Sequence, residues 1–326
     1  MKIGMFSFAH MHADGYAHGL RQLPDVELAG IYDADPARGQ RMADRHGIRY
    51  FADAQALLDE GLAGAIICSE NANHRPLVEL AAGQTGYILC EKPIATTLAD
   101  AKAMIAVCAA TGTQLQIAFP VRFSPPVMRL RALLAEGVIG RPLSAKCTNH
   151  GSMPGGWFID PALSGGGAVI DHTVHVIDLL RWIWDCEVTS VFAEVGDSLL
   201  HPELGCDDVG MLSFTLSNGV YGTLDTSWSR PPSGLKWGDV TIEVVGEKGV
   251  IQTDAFQQDL LVASNKRSAA KLAHWGSNGD LGLVADFVGA IRANRPVAIT
   301  GHDGHQALAV ALAAYEAART GRVQKI

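Results

Sequence analysis

The stretch Ile3-Gly4-Met5-Phe6-Ser7-Phe8-Ala9-His10-Met11-His12-Ala13-Asp14-Gly15 decides the fold. Its apolar run, Ile3 to Phe8, reads as a buried strand, and a helical stretch from Gly15 to Leu23 follows it. The same beat then repeats. Strands are expected at Val26 to Tyr32, Tyr50-Phe51, Ala65 to Cys68, Tyr87 to Cys90 and Gln114 to Phe119. Helices are expected between them at Pro36 to His46, Ala54 to Glu60, His74 to Ala82 and Leu98 to Thr111. Strands joined by helices need right-handed crossovers and hence a parallel sheet. Residues 1–120 are therefore expected to form a doubly wound Rossmann dinucleotide-binding domain of α/β class.

Beyond Phe119 the texture changes. Longer alternating runs cover Val188 to Val195, Asp208 to Leu216, Val220 to Trp228, Val240 to Val245 and Gly249 to Thr253. Turn signals at Ser217-Asn218-Gly219 and Gly246-Glu247-Lys248-Gly249 punctuate them. An α+β domain with antiparallel strands is expected over residues 121–326, ending in Ala-rich helices from Leu281 to Arg292 and Gly304 to Thr320. At 326 residues and 48% hydrophobic content the chain can bury a core in each domain. A formal charge of −8 argues against nucleic acid and anionic membrane as partners, since both select basic surfaces. The six cysteines, Cys68, Cys90, Cys108, Cys147, Cys186 and Cys206, show no C-x-x-C spacing, which suits a reducing cytoplasm. The start carries one charge and no cleavage signal, and no apolar run of about 18 residues follows, so neither export nor a membrane span is expected.

Aligning on the first strand puts Ser7, Ala9 and His12 where a G-x-G-x-x-G loop has its glycines. The loop alone thus carries no cofactor signal. Support comes from Asp33 at the end of the second strand, about twenty residues on, where a carboxylate accepts from a ribose diol and repels a 2′-phosphate. NAD is favoured over NADP, against the competing reading of Asp33 as an ordinary turn residue before Pro36. His10 and His12, with His18 nearby, have chelating H-x-H spacing, but no carboxylate or thiolate is tied to them by sequence spacing. No metal is expected. A helix N-terminus here favours phosphate, to which the two histidines can donate.

Further along, Ser164-Gly165-Gly166-Gly167-Ala168-Val169-Ile170-Asp171-His172-Thr173-Val174-His175 places a glycine-rich loop before a helix. Asp171, His175 and Asp178 fall on one face of that helix. An imidazole with a carboxylate one turn away makes an acid/base pair; a capped helix with a buried structural histidine is the competing reading. Glu91-Lys92-Pro93 sets a lysine at a strand's carboxyl end, where open α/β sheets bind ligands.

Together these motifs resemble the Gfo/Idh/MocA family of glucose-fructose oxidoreductases and inositol dehydrogenases. Also similar are Ser69-Glu70-Asn71-Ala72-Asn73-His74, Arg122-Phe123, Gly137-Val138-Ile139-Gly140, Trp157, Asp160-Pro161 and Gly301-His302-Asp303-Gly304. Glu70 departs from the family's usual Pro, and Pro120 stands where Asn often precedes the R-F pair. The resemblance implies an N-terminal Rossmann domain carrying NAD(P), and a C-terminal domain with a large, mainly antiparallel open sheet that mediates homodimers or homotetramers. It also implies hydride transfer at a carbinol carbon of a sugar or polyol. By position, Lys92, Asp171 and His175 match the catalytic residues: His175 as proton acceptor, Asp171 as its partner and Lys92 as the polarising ammonium. The implied cofactor contacts are Ser7, Ala9, His10, His12, Asp33, Ser69, Asn71, His74, Glu91 and Lys92. The implied substrate contacts are Lys92, Arg122, Trp157, Asp171, His172 and His175. Trp157, Trp228 and Trp237 offer either a face for a sugar ring or packing. Redox-assisted glycoside elimination or hydrolysis with recycled NAD is a second reading, and a non-catalytic dinucleotide sensor a third.

Overall fold

The computed structural model describes residues 1–263 and 271–326. Contacts divide the chain into two compact units: Met1–Pro120 with Ala162–Gly165 and Asp280–Leu308, and Val121–Pro161 with Gly166–Gly279 and Ala309–Ile326.

In the first unit, strands β1 (Lys2–Phe6), β2 (Glu27–Tyr32), β3 (Tyr50–Phe51), β4 (Gly64–Ile67), β5 (Tyr87–Glu91) and β6 (Gln114–Ala118) form one sheet. Its order is β3-β2-β1-β4-β5-β6, and every pairing is parallel. Helices α1 (His12–Leu20), α2 (Pro36–His46), α3 (Ala54–Leu58), α4 (His74–Ala81) and α5 (Leu98–Thr111) provide the crossovers. A parallel sheet covered on both faces needs uninterrupted apolar strands, and β4 is buried at every residue. The strand order reverses between β1 and β4, which makes the carboxyl ends of these strands the ligand crevice of such a sheet. α2 has the bounds expected from sequence: the Asp35 side chain caps the Ala37 and Arg38 amides, Pro36 takes the first turn, and Gly47 ends the helix in the left-handed region. β1, by contrast, stops two residues early, because Ser7 adopts a φ of 73°. α1 correspondingly starts at His12 rather than Gly15.

The remaining elements in chain order are α6 (Pro125–Ala135), β7 (Pro142–Gly151), the one-turn α7 (Pro161–Ser164), α8 (Ala168–Trp184), β8 (Val188–Asp197), β9 (Asp207–Leu216), β10 (Tyr221–Ser227), β11 (Gly238–Gly246), β12 (Gly249–Asp254), β13 (Asp259–Val262), β14 (Lys271–His274), α9 (Gly279–Ala293), α10 (Gly301–Thr320) and β15 (Gln324–Lys325). The second unit is built on a seven-stranded sheet of order β12-β11-β7-β10-β9-β8-β15, antiparallel except where β10 runs parallel to β7. Among the expected strands β7 was missing. Its inward positions include Asn149 and Gly151, and its outward ones Ser144, Lys146, Thr148 and His150, so the apolar alternation is faint.

Helix α8 lies on this sheet. Gly210 of β9 admits it, since a Cβ there would collide with Val169. Its N-terminus has no cap from its own sequence, and Asp207 of β9 supplies one: the carboxylate accepts from Gly167 N (2.8 Å), Val169 N (2.7 Å) and the Tyr315 hydroxyl (2.8 Å). The close approach is what Gly167 is for, because a Cβ there would overlap the Asp207 carbonyl. Among the described residues no helix is long and apolar enough to cross a membrane.

Two predictions follow from these contacts. Asp207→Ala strands the Val169 amide and leaves Gly167 N only the Tyr315 hydroxyl (3.2 Å), and is expected to cost about 1–3 kcal/mol in urea unfolding, with Asp207→Asn losing less. A change below about 0.5 kcal/mol in the alanine variant would remove the cap from the account. On the sheet's opposite face, His150 sits between Asp225 (3.1 Å) and Asp239 (2.9 Å). Burial opposes its charge, but the two carboxylates outweigh it and push its pKa up to about 9 from 6.5. The imidazolium's contribution is therefore complete below the unfolded value and is lost as pH rises through about 9. Between pH ~7 and ~9.5 the wild type should lose more stability than His150→Gln; parallel losses would refute this.

Candidate active site

In the first unit the site is built from strand ends. Ser7 holds the left-handed turn that a glycine would take without cost, at about 1 kcal/mol or more for a residue with a Cβ. Hydrogen bonds offset the cost. Ser7 N donates to Tyr32 O (2.6 Å), Ser7 Oγ to Asp33 Oδ2 (3.2 Å), Phe8 N to the same oxygen (2.8 Å), and Ala9 N to Ser7 Oγ (3.1 Å). Asp33 also accepts from Asp35 N (2.9 Å) and from Arg38 through both Nε and Nη2 (2.8 Å each). Five donors fill its lone pairs. Asp33 thus ties the loop to α2, and Arg38, which also reaches Glu70 (3.2 Å), covers its carboxylate.

The expectation for His74 is corrected. It is fully buried, with Nδ1 facing the Pro93 and Ile94 carbonyls (3.1 and 3.2 Å) and Nε2 facing Ser69 O (3.2 Å), so it braces two loops rather than contacting a ligand. Burial lowers its pKa, outweighing the three carbonyls. Ser69 turns its hydroxyl to Glu70 O (3.2 Å). Asn71 donates to Ser164 O (2.8 Å), while its Oδ1 is buried without a partner.

At the end of β5, Glu91 is fully buried beside two imidazoles: its Oε1 lies 3.2 Å from His12 Nδ1 and 3.7 Å from His10 Nδ1. Burial pushes the Glu91 pKa up, but His10 and His12, with a hydrogen bond from Tyr16, overcome it and leave the group well below the usual carboxylate range. Burial likewise opposes charge on His12, and Glu91 outweighs it, so its pKa is raised. Lys92 is buried, its amide donates to Glu91 Oε2 (3.1 Å), and its peptide bond to Pro93 is cis.

In the second unit the residues expected from sequence, Asp171, His172 and His175, lie on α8. Between Ala168 and Arg181 every residue is buried except His175. Asp171 Oδ2 accepts from the Trp228 indole (3.3 Å) and lies 3.3 Å from His172 Nε2. His172 Nδ1 donates to Asn149 O (2.8 Å), and the partly exposed Trp237 meets the His172 ring edge-on at 6.0 Å. Trp228 is 1% exposed, so it is a donor to Asp171 and core packing, not a sugar platform. Trp157 stacks on Phe158 at 3.9 Å. Arg122 is spent on a different partner from the one expected. It forms a buried two-pronged pair with Asp178 (Nε–Oδ2 2.7 Å, Nη2–Oδ1 2.5 Å), which makes it a strut between the start of this unit and α8.

Comparison with known proteins now bears on these sites. A family model described as "Oxidoreductase family, NAD-binding Rossmann fold" matches residues 3–119, and one for the GFO/IDH/MocA C-terminal domain matches residues 127–252. The chain belongs to the Gfo/Idh/MocA oxidoreductase family. An uncharacterized oxidoreductase of Bacillus subtilis, YrbE, is 29% identical over 94% of this chain and 91% of its own length. A D-apiose dehydrogenase of Paraburkholderia graminis is 27% identical over 99% of this chain and 88% of its own. In fold, the chain is similar to GenD2 from gentamicin A biosynthesis, solved in complex with NAD, with a TM-score of 0.91, 23% identity and coverage of 100% and 96%.

For a Gfo/Idh/MocA Rossmann domain the residues present fit a dinucleotide. The glycine-like turn survives at Ser7, α1 starts without a side-chain cap, and Asn71 Oδ1 is a buried acceptor with an unused lone pair. Sequence reasoning missed Arg38, Glu70, Asp207 and Tyr315. Arg38 had a signal in its place in the first turn after Asp33; the others act across the fold and had none. For the Arg122–Asp178 pair, Arg122→Met alone should cost about 3–5 kcal/mol by urea unfolding, and adding Asp178→Leu should recover most of it. Additive losses would refute the pairing.

Proposed function

We propose that this protein is an NAD-dependent dehydrogenase acting on a CH–OH group of a sugar or polyol. The observation that carries the reading is His175: on a helix buried from Ala168 to Arg181, it is the one residue that is only part-buried. An imidazole so placed one turn from a carboxylate is suited to accept the proton of a substrate hydroxyl. Asp171, held by Trp228, would orient the reacting hydroxyl, and the Lys92 ammonium would stabilise negative charge developing on its oxygen. Relatives named for inositol and D-apiose support a carbohydrate substrate.

Ser7, Ala9, His10, His12, Asn71 and Glu91 would hold the dinucleotide, whose nicotinamide, when bound, accepts the hydride from the substrate carbon. NAD is favoured over NADP by charge. Asp33 and Glu70 both engage Arg38, so its guanidinium is already paired with two carboxylates rather than left for a 2′-phosphate. Met211, Tyr221 and Val245 stand exposed on the sheet face away from α8, which supports self-association as a homodimer or homotetramer.

The test is calorimetric binding of NAD and NADP, followed by NADH absorbance with a panel of polyols and sugars. His175→Ala and Lys92→Ala are each expected to lower kcat by about a hundredfold or more with the Kd for NAD changed less than about threefold. Turnover within about tenfold of wild type in either variant would refute that residue's role. Absence of NAD and NADP binding at millimolar concentration would overturn the reading as a whole.

A further inference from the structure

The loop between β1 and α1 and the end of β5 bring together three side chains that the dehydrogenase reading uses only to hold the dinucleotide, and whose donor atoms make a second kind of site. His10, His12 and Glu91 each offer one ligand atom, and the three atoms lie within 4.8 Å of one another. Glu91 Oε1 is 3.2 Å from His12 Nδ1 and 3.7 Å from His10 Nδ1. Bonds of about 2.0–2.2 Å to a tetrahedral ion would set neighbouring ligands roughly 3.3 Å apart, so only small side-chain shifts separate this arrangement from a coordinating one.

The surroundings favour a cation. The backbone amide of His12 donates to His10 Nδ1 (3.2 Å), so that nitrogen carries the lone pair a metal ligand needs, and coordination would exchange this hydrogen bond for a metal bond. Glu91 Oε2 is held by the Lys92 amide (3.1 Å), leaving Oε1 directed at the imidazoles, as an outer-shell bond fixes a ligand carboxylate. Asp280 of α9 adds a second negative charge felt at His12, against one positive charge from Lys92. It can approach because Gly15 of α1 has no Cβ; one there would lie 2.8 Å from Asp280 Oδ2. His10 and Glu91 are buried, whereas the His12 side chain is 26% exposed, so the set is open on one side.

We propose that His10, His12 and Glu91 form a binding site for a divalent transition-metal ion of the zinc class. Two imidazoles and one carboxylate select borderline ions over Mg²⁺ or Ca²⁺, which prefer all-oxygen shells. Three protein ligands with one open side leave a fourth position for water or another oxygen ligand.

The test uses tag-free, full-length protein stripped with chelator, in the absence of dinucleotide. Titration with Zn²⁺ by calorimetry is expected to show one equivalent bound with a micromolar or tighter Kd, and Co²⁺ to give visible absorption of a four- or five-coordinate site. Glu91→Gln and His12→Ala should each weaken Zn²⁺ at least tenfold, with circular dichroism reporting their folding, while His18→Ala, on exposed surface, should leave it unchanged. Lack of one-equivalent binding overturns the site, as does binding that survives both ligand substitutions or binding matched by Mg²⁺. Because NAD is absent throughout, such a failure leaves the dehydrogenase reading standing, and failure of NAD binding would not remove the metal site.

Discussion

The Asp207 carboxylate at the head of α8 is the contact on which the placement of that helix in the second unit depends. A helix start buried against a sheet must find acceptors for its first amides, and α8 has only glycines ahead of it. Asp207 reaches in from β9, and Tyr315 from α10 completes the arrangement by donating to it. This fixes the rotation of α8 on the sheet, and with it the face on which Asp171, His172 and His175 project. The run of glycines acts as a close-packing device: Gly166 and Gly167 yield room to Tyr315 and Asp207.

The first unit solves the opposite problem, a phosphate-type loop without its glycines. Ser7 pays the conformational cost of the left-handed turn, and its hydroxyl then joins the Phe8 amide in binding Asp33. A carboxylate commonly pictured as reaching outward to a ribose is turned inward to stabilise the loop, and Arg38 becomes the outward group. His12, in the place of the third glycine, stays compatible with α1 because its ring pairs with Glu91 instead of packing into the helix–strand contact.

Much of this was legible in the sequence. The period-two and period-3.6 patterns placed the six parallel strands and their crossovers, since each strand of a doubly covered sheet reads as a short apolar run. α2 was bounded correctly because its caps, Asp35 and Gly47, are local. What was not legible depended on partners far along the chain. Nothing near His10 and His12 announces Glu91, seventy-nine residues beyond His12, and nothing near Arg122 announces Asp178, fifty-six residues on. A histidine such as His74 carries the same letter whether it braces carbonyls or binds a ligand, and only its burial tells the two apart. β7 was faint for a related reason: a central strand with Asn149 and Gly151 facing inward has too little apolar contrast to show an alternation.

The treatment of charge separates framework from chemistry. Arg122–Asp178 and Asp33–Arg38 are matched two-pronged pairs that tie parts of the framework together, so removing either partner is costly. Asp171 is different. Its Oδ2 accepts from the Trp228 indole and lies 3.3 Å from Nε2 of His172, a ring whose Nδ1 already donates to Asn149 O. The indole bond fixes the carboxylate's position, and one turn away stands His175, the one residue in that stretch of α8 that is only part-buried. Had α8 served packing alone, the buried face would be expected to carry apolar residues at these two positions, because an anchored carboxylate and a part-buried imidazole cost desolvation without adding cohesion.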